Sequence, residues 1–159
     1  MSNVFEGSMI IDGQRFAVVV SRFNEFLTKQ LLSGVIDTLN RHGADEDKID
    51  IAWTPGAYEI PLIAKKLVDS KRYDAIICLG VIIRGNTPHF DHLCSSVTKG
   101  ISDIALSSGV PITYGVITAD NLEQAIERSG AKMGNKGREA ANSAIEMSNI
   151  VRDIESSKD

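Results

Sequence analysis

The sequence predicts an α/β domain, a three-layer αβα sandwich around a four-stranded parallel sheet. Three observations lead there. Short apolar runs alternate along the chain with longer segments whose apolar residues recur at helical spacing. Three of the four short runs are almost continuously apolar, as strands covered on both faces are. No internal repeat, low-complexity tract or linker interrupts the 159 residues, so residues 1–159 are expected to form a single domain. Strands alternating with helices imply right-handed crossovers, and hence a parallel sheet with helices on both faces.

The elements follow in order. RFAVVVS (Arg15–Ser21) reads as the first strand. The next segment carries Leu27, Leu31, Leu32, Val35, Ile36 and Leu39 at helical spacing, with Gly43 as its C-terminal stop. IDIAWT (Ile49–Thr54) is the second strand, and PGAYEIPLIAKKLVDS turns from it into a short helix. YDAIICLGVII (Tyr73–Ile83) is the third and most apolar strand. From Thr87 to Ser108 a helix places Phe90, Leu93, Val97, Ile101 and Ile104 on one face. VPITYGVIT (Val110–Thr118) is the fourth strand, followed by a short helix in DNLEQAIERSG capped by Asp120 or Asn121. After the loop GAKMGNKG the last helix repeats Ala140, Ala144, Met147, Val151 and Ile154, and the tail ESSKD is expected to fray. The N-terminal FEGSMIIDG has strand character but no partner within the chain, which predicts pairing with the sheet edge of a neighbouring subunit.

Composition excludes several classes of function. A net charge of −4 with scattered Lys and Arg offers no basic face for nucleic acid. No apolar run approaches the roughly 20 residues that span a bilayer. The N-terminus lacks a basic stretch followed by a long apolar one, so no signal peptide is expected. Cys78 and Cys94 form no CxxC and read as free thiols of a cytoplasmic protein.

In open parallel sheets, ligands bind beyond the carboxyl ends of the strands. Here the exits are Arg22-Phe23-Asn24, Pro55-Gly56-Ala57-Tyr58-Glu59, Arg84-Gly85-Asn86-Thr87-Pro88-His89 and Ala119-Asp120-Asn121. The third exit fits an ordinary strand–turn–helix, a metal site on H-x-x-H, or an anion cradle. As the cradle, Thr87 caps a helix that starts at Pro88, and the helix dipole and the N–H groups around Gly85 face an anion. His89 then stands in the first turn at the cleft rim, a proton carrier suited to neutral pH. A metal would need a third ligand. His42 lies at the far end of another helix and Cys94 faces the core, so no metal is expected. Tyr58 and Phe23 are candidates for the two faces of an aromatic slot, and Glu59 for a polyol acceptor, although each also fits plain helix-start packing.

The motifs SRFNEF, PGAYEIP, GVIIRGNTPHFDH, EQAIERSG and GNKG, in this order, resemble the lumazine synthase family from about Phe16 to Ile150. The resemblance implies a flavodoxin-like fold and a transferase. Its reaction condenses 5-amino-6-(D-ribitylamino)uracil with 3,4-dihydroxy-2-butanone 4-phosphate to 6,7-dimethyl-8-ribityllumazine, phosphate and water. It implies no metal or organic cofactor. By the same likeness Phe23 stacks on the pyrimidine, and Ala57, Tyr58 and Glu59 hold pyrimidine and ribityl chain. Backbone groups of Val81, Ile82 and Ile83 read the pyrimidine edge, while Asn86 and Thr87 bind phosphate with Arg128. His89 is similar to the proton shuttle, Tyr114 to a pocket aromatic, and Lys136 to a residue close to the phosphate.

In that family the pockets lie between subunits of a pentamer. Phe23, Tyr58, Glu59, Thr87 and His89 would come from one subunit, and Tyr114, Arg128 and Lys136 from its neighbour. The uninterrupted GAKMGNKG resembles relatives that assemble twelve pentamers into a 60-subunit capsid, in some cases with riboflavin synthase. His92 falls where an aromatic is usual and reads as a bystander; Arg84 has no assigned role. The competing readings are a non-catalytic flavin-binding module and a chiefly shell-forming protein of the same fold. His89 together with Arg128 favours the enzyme, since a passive flavin site needs neither.

Overall fold

A computed structural model describes residues 2–157. The wholly buried β1 (Phe16–Ser21) leads into α1 (Glu25–Arg41), and β2 (Ile49–Thr54) into a 3-10 turn (Ala57–Glu59) and α2 (Ile60–Asp69). β3 (Ala75–Ile83) is followed by α3 (His89–Ser108), and β4 (Ile112–Ala119) by α4 (Leu122–Glu127). A small hairpin of β5 (Ser129–Ala131) and β6 (Gly134–Asn135) precedes α5 (Lys136–Ser156). The four long strands form one parallel sheet in the order β2-β1-β3-β4.

Side chains alternate across a strand, and that period sorts the sheet into two covered faces. Phe16, Val18 and Val20 of β1 pack with Leu27, Leu31 and Leu39 of α1 and Ala141, Ala144 and Ile145 of α5. Ala17 and Val19 face the other way, where Ile76 and Cys78 of β3 meet Ile60 and Ala64 of α2 and Val97 and Ile101 of α3. The result is the three-layer, flavodoxin-like αβα sandwich. Crossing of α1 and α5 is close: a Cβ on Gly137 would stand 2.2 Å from the Leu31 carbonyl oxygen.

Several expected boundaries move, each for a local reason. β3 starts at Ala75, because Asp74 turns to donate its N–H to the Arg15 carbonyl and its carboxylate accepts the Arg15 N–H. α3 starts at His89 with Pro88 in the cap position, and Thr87 makes no side-chain cap. β4 begins two residues late, at Ile112, after Gly109 closes α3 in the left-handed conformation. The segment read as a loop contains the hairpin, whose Asn135 side chain caps α5 and donates to the Gln30 carbonyl on α1. On α5 the buried face runs through Ala140, Ala141, Ala144, Ile145 and Ser148, whereas Met147 and Ile154 of the expected stripe are exposed. Residues 155–156 are helical rather than frayed; the end of the expected tail lies outside the described residues.

Residues 5–13 form no strand within the chain. They lie against α5, where the Asn149 side-chain amide donates to the Ser8 and Ile10 carbonyls and its oxygen accepts from Gln14.

Candidate active site

The sheet order places β1 beside β3, with α1 leaving toward one face and α3 toward the other. That reversal opens a crevice at the carboxyl ends of the two strands. β1 ends at Ser21, and its last pair with β3 is Val20 with Leu79, while β3 stays paired with β4 as far as Ile83. The end of β3 therefore overhangs, with its β1-facing edge open. Arg84 donates its N–H to the Ala119 carbonyl of β4 at 2.8 Å. By strand alternation, the N–H and C=O of Ile83 point the opposite way, into the crevice. The Val81 carbonyl also faces that side and accepts from the Asn24 side chain at 3.3 Å.

Two lobes occupy the crevice. The smaller, about 260 Å³, is lined by Phe23, Gly56, Ala57, Tyr58 and Glu59 with Val81–Ile83 behind them. The larger, about 600 Å³, is lined by Gly85, Thr87, His89, Phe90, His92 and Ser96, with Tyr58, Ile82, Ile83 and Leu93 shared between the lobes. Phe23 and Tyr58 stand 70% and 69% exposed, two large rings that the chain leaves out of its own core. They are placed by main-chain bonds between strand exits: Arg22 N–H donates to the Thr54 carbonyl and Phe23 N–H to the Pro55 carbonyl. The Thr54 hydroxyl, donating to the Gly56 carbonyl at 2.8 Å, closes the turn that presents Tyr58 and Glu59.

The smaller lobe holds an unpaired acceptor. Glu59 Oε2 is buried and has no hydrogen-bond partner among the described residues. A buried carboxylate oxygen without a donor is costly, and such an atom at a cleft is ready to accept a ligand hydroxyl.

At the other lobe, Gly85–Thr87 leads into the amino end of α3. The first N–H groups of a helix have no partner within it, and since Thr87 does not cap them they stay open to an anion. A Cβ on Gly85 would meet nothing within 4 Å, so the backbone there is bare toward the lobe. His89 is the first helical residue and lines the same space, while Asn86 is exposed and outside the lining.

Three expected site residues lie elsewhere. Tyr114 is on β4, hydrogen-bonded to the Thr98 hydroxyl of α3 at 2.8 Å, and burial raises its phenol pKa. Arg128 is the residue that closes α4, and its carbonyl accepts the N–H of Lys136, the first residue of α5, at 2.9 Å, so the two residues flank the hairpin. None of the three lines the chain's own crevice.

Three residues carry more than their sequence positions suggested. His92 is one of the lining residues: three residues after His89, it shares the same helix face. Asn24 adopts the left-handed conformation (φ 63°) at the start of α1 and turns its amide onto β3. Arg84, unassigned from the sequence, reaches Asp91 and Asp120 and stacks on Phe90. Asn at a strand exit before a helix is a readable signal for the left-handed turn; the partners of Arg84, up to 36 residues away, are not. Among the described residues no group of three or more His, Cys, Asp or Glu converges on a metal position, and no helix is long and apolar enough to cross a membrane.

Comparison with known proteins bears on this crevice. The model of the family 6,7-dimethyl-8-ribityllumazine synthase matches residues 13–152. Proteins named 6,7-dimethyl-8-ribityllumazine synthase from two strains of Clostridium kluyveri are each 55% identical over 152 residues, covering 96% of this chain and 99% of theirs.

Proposed function

The chain belongs to the 6,7-dimethyl-8-ribityllumazine synthase family and is a transferase of riboflavin biosynthesis; from that membership we propose that the two-lobed crevice is where its substrates meet. The reaction joins 5-amino-6-(D-ribitylamino)uracil to 3,4-dihydroxy-2-butanone 4-phosphate and yields 6,7-dimethyl-8-ribityllumazine, phosphate and water. The observation that carries the assignment is the shared wall. Tyr58 lines both lobes, so the unpaired Glu59 oxygen and the open amino end of α3 face one continuous space.

In this reading Phe23 and Tyr58 hold the pyrimidine ring, with Ala57 beside them and the open edge at Val81–Ile83 reading its polar rim. Glu59 accepts ribityl hydroxyls. Gly85, Thr87 and the first N–H groups of α3 take the phosphate, with Asn86 at the rim. The adjacent subunit supplies Arg128 and Lys136 to complete the phosphate site and Tyr114 to close the pocket. Support for that division lies in the exclusion of all three from the chain's own crevice. Exposed apolar side chains such as Leu62, Met133 and Ile51 at the β2 edge also suit assembly. The assembly proposed is a pentamer, and twelve of these a 60-subunit capsid associating with riboflavin synthase in the cytoplasm. Residues 5–13 pair with a neighbour's sheet edge, and the whole chain acts as one domain.

The chemistry accounts for the kinds of residue present. The 5-amino group attacks the ketone to give a carbinolamine, which loses water to an imine. Phosphate then leaves by elimination to give an enol, which tautomerises to a ketone at the former hydroxyl carbon, and the ribitylamino nitrogen closes on that carbonyl with loss of a second water. Each step moves a proton, and one imidazole on the wall of the larger lobe can serve in both directions. Placing two reactants against each other supplies most of the acceleration. Developing charge on the leaving phosphate is met by the helix amino end and the neighbour's guanidinium.

The assay mixes both substrates with the assembled enzyme and follows lumazine absorbance and phosphate release together. Equal amounts of the two products are expected. Phosphate without lumazine, or neither, would refute the assignment.

A further inference from the structure

We infer that Arg84 is a positioning residue for the phosphate end of the crevice. It directly precedes Gly85, and its own N–H is fixed to the Ala119 carbonyl. From there its guanidinium works in three directions. Nε donates to Asp120 Oδ1 at 3.0 Å, Nη2 to Asp91 Oδ1 at 3.5 Å, and the guanidinium carbon lies 4.4 Å from the centre of the Phe90 ring. Phe90 and Asp91 are in the first turn of α3, next to His89, and Phe90 lines the larger lobe. Asp120 stands just ahead of α4, its N–H held by the Gln124 side chain at 2.8 Å. One side chain thus joins the end of β3, the amino end of α3 and the start of α4.

Only a planar, forked cation can donate along two edges and stack on a ring at once; an ammonium has neither the fork nor the face. The acids are well exposed, Asp91 at 67% and Asp120 at 64% of the side chain, and exposed ion pairs contribute little to global stability. What the contacts fix is geometry. They set where Gly85–Thr87 lies relative to the free N–H groups of α3, the two halves of the anion cradle. They also brace the start of α4, which is followed directly by Arg128, the cation this chain would lend to its neighbour.

The inference rests on the phosphate reading of this lobe, so the test separates the two. Steady-state kinetics are measured with both substrates for the assembled wild type, Arg84→Met, Arg84→Lys and Asp120→Asn. Inorganic phosphate serves as the product inhibitor, and thermal unfolding is followed alongside. For Arg84→Met, KM for the butanone phosphate should rise about tenfold, and inhibition by phosphate should weaken in parallel. KM for the pyrimidine should stay within about twofold and Tm nearly unchanged. Arg84→Lys should keep the charge but recover only part of the loss. Asp120→Asn should move the same parameters the same way by less, and it carries the test if Arg84→Met fails to fold. Unchanged phosphate parameters in an active Arg84→Met or Asp120→Asn enzyme would overturn the positioning role. So would equal rises in both KM values with a fall in Tm, the mark of a merely structural contact. A wild type that neither condenses the substrates nor binds phosphate would overturn the reading of the lobe and this inference with it.

Discussion

Replacing Glu59 by alanine separates binding from folding. In the free chain Glu59 Oε2 is buried without a partner, so removing it relieves an uncompensated polar atom, about 1–3 kcal/mol in favour of the fold. The same substitution removes one methylene packed at the lobe wall, about 0.8 kcal/mol against the fold. The two effects oppose each other and leave about 0–2 kcal/mol in favour of the fold, so Tm should not fall and should rise by no more than about 4–8 °C for a chain of this size. Binding has no such compensation. Each hydrogen bond from a ribityl hydroxyl to a charged acceptor is worth about 1.5–3 kcal/mol. Its loss should raise KM for the ribitylaminouracil roughly 10- to 150-fold, leaving the butanone phosphate little affected. Differential scanning fluorimetry beside steady-state kinetics with each substrate varied in turn measures both. A marked fall in Tm with KM unaltered would show the carboxylate to be structural and refute the reasoning.

Other consequences are as direct. His89→Ala should lower turnover at least several-fold with the assembly intact by light scattering, because an exposed first-turn imidazole is not part of the core; unaltered kinetics would remove it as proton carrier. Gly137→Ala should lower the denaturant midpoint by about 1–3 kcal/mol or more of stability, since its Cβ would meet the Leu31 carbonyl at 2.2 Å; an unchanged midpoint would mean that α1 and α5 separate freely. Burial pushes the Cys78 thiol up to about 12, so at pH 8 a disulfide reagent should leave it unmodified until the protein unfolds. Rapid labelling of both Cys78 and Cys94 in the native protein would contradict its sealed position.

Much of the fold was legible because strand and helix announce themselves by period. The apolar runs of β1 and β3 and the helical spacing in α1 and α3 are local facts, and layer order follows from alternation. Less legible were features set by partners distant in sequence. The position of Met147 on the apolar side of α5 looked buried, but the bound N-terminal segment and α1 select the face through Ala141 and Ile145 instead. The hairpin at 129–135 has no strand-like composition and exists because Asn135 is tied both to α5 and to α1. In the site, the crevice residues could be read from the strand exits, since a parallel sheet puts them at one end. That β3 overhangs β1, that Asn24 takes the Val81 carbonyl, and that His92 looks into the larger lobe are matters of register and helix face. A sequence without its fold does not display them.

The central claim is that one chain carries half a site and its neighbour the rest. Arg128→Ala should chiefly raise KM for the butanone phosphate, and His89→Ala should chiefly lower turnover. The decisive measurement co-expresses these two variants with different tags, isolates mixed oligomers and compares their condensation activity with either variant alone. If the crevice of one subunit is completed by the next, about one site in four in an even mixture regains both intact halves and activity returns to that extent. If each chain holds its own complete site, every site stays defective. Mixed oligomers would then be no more active than the average of the two variants, and the account would be wrong.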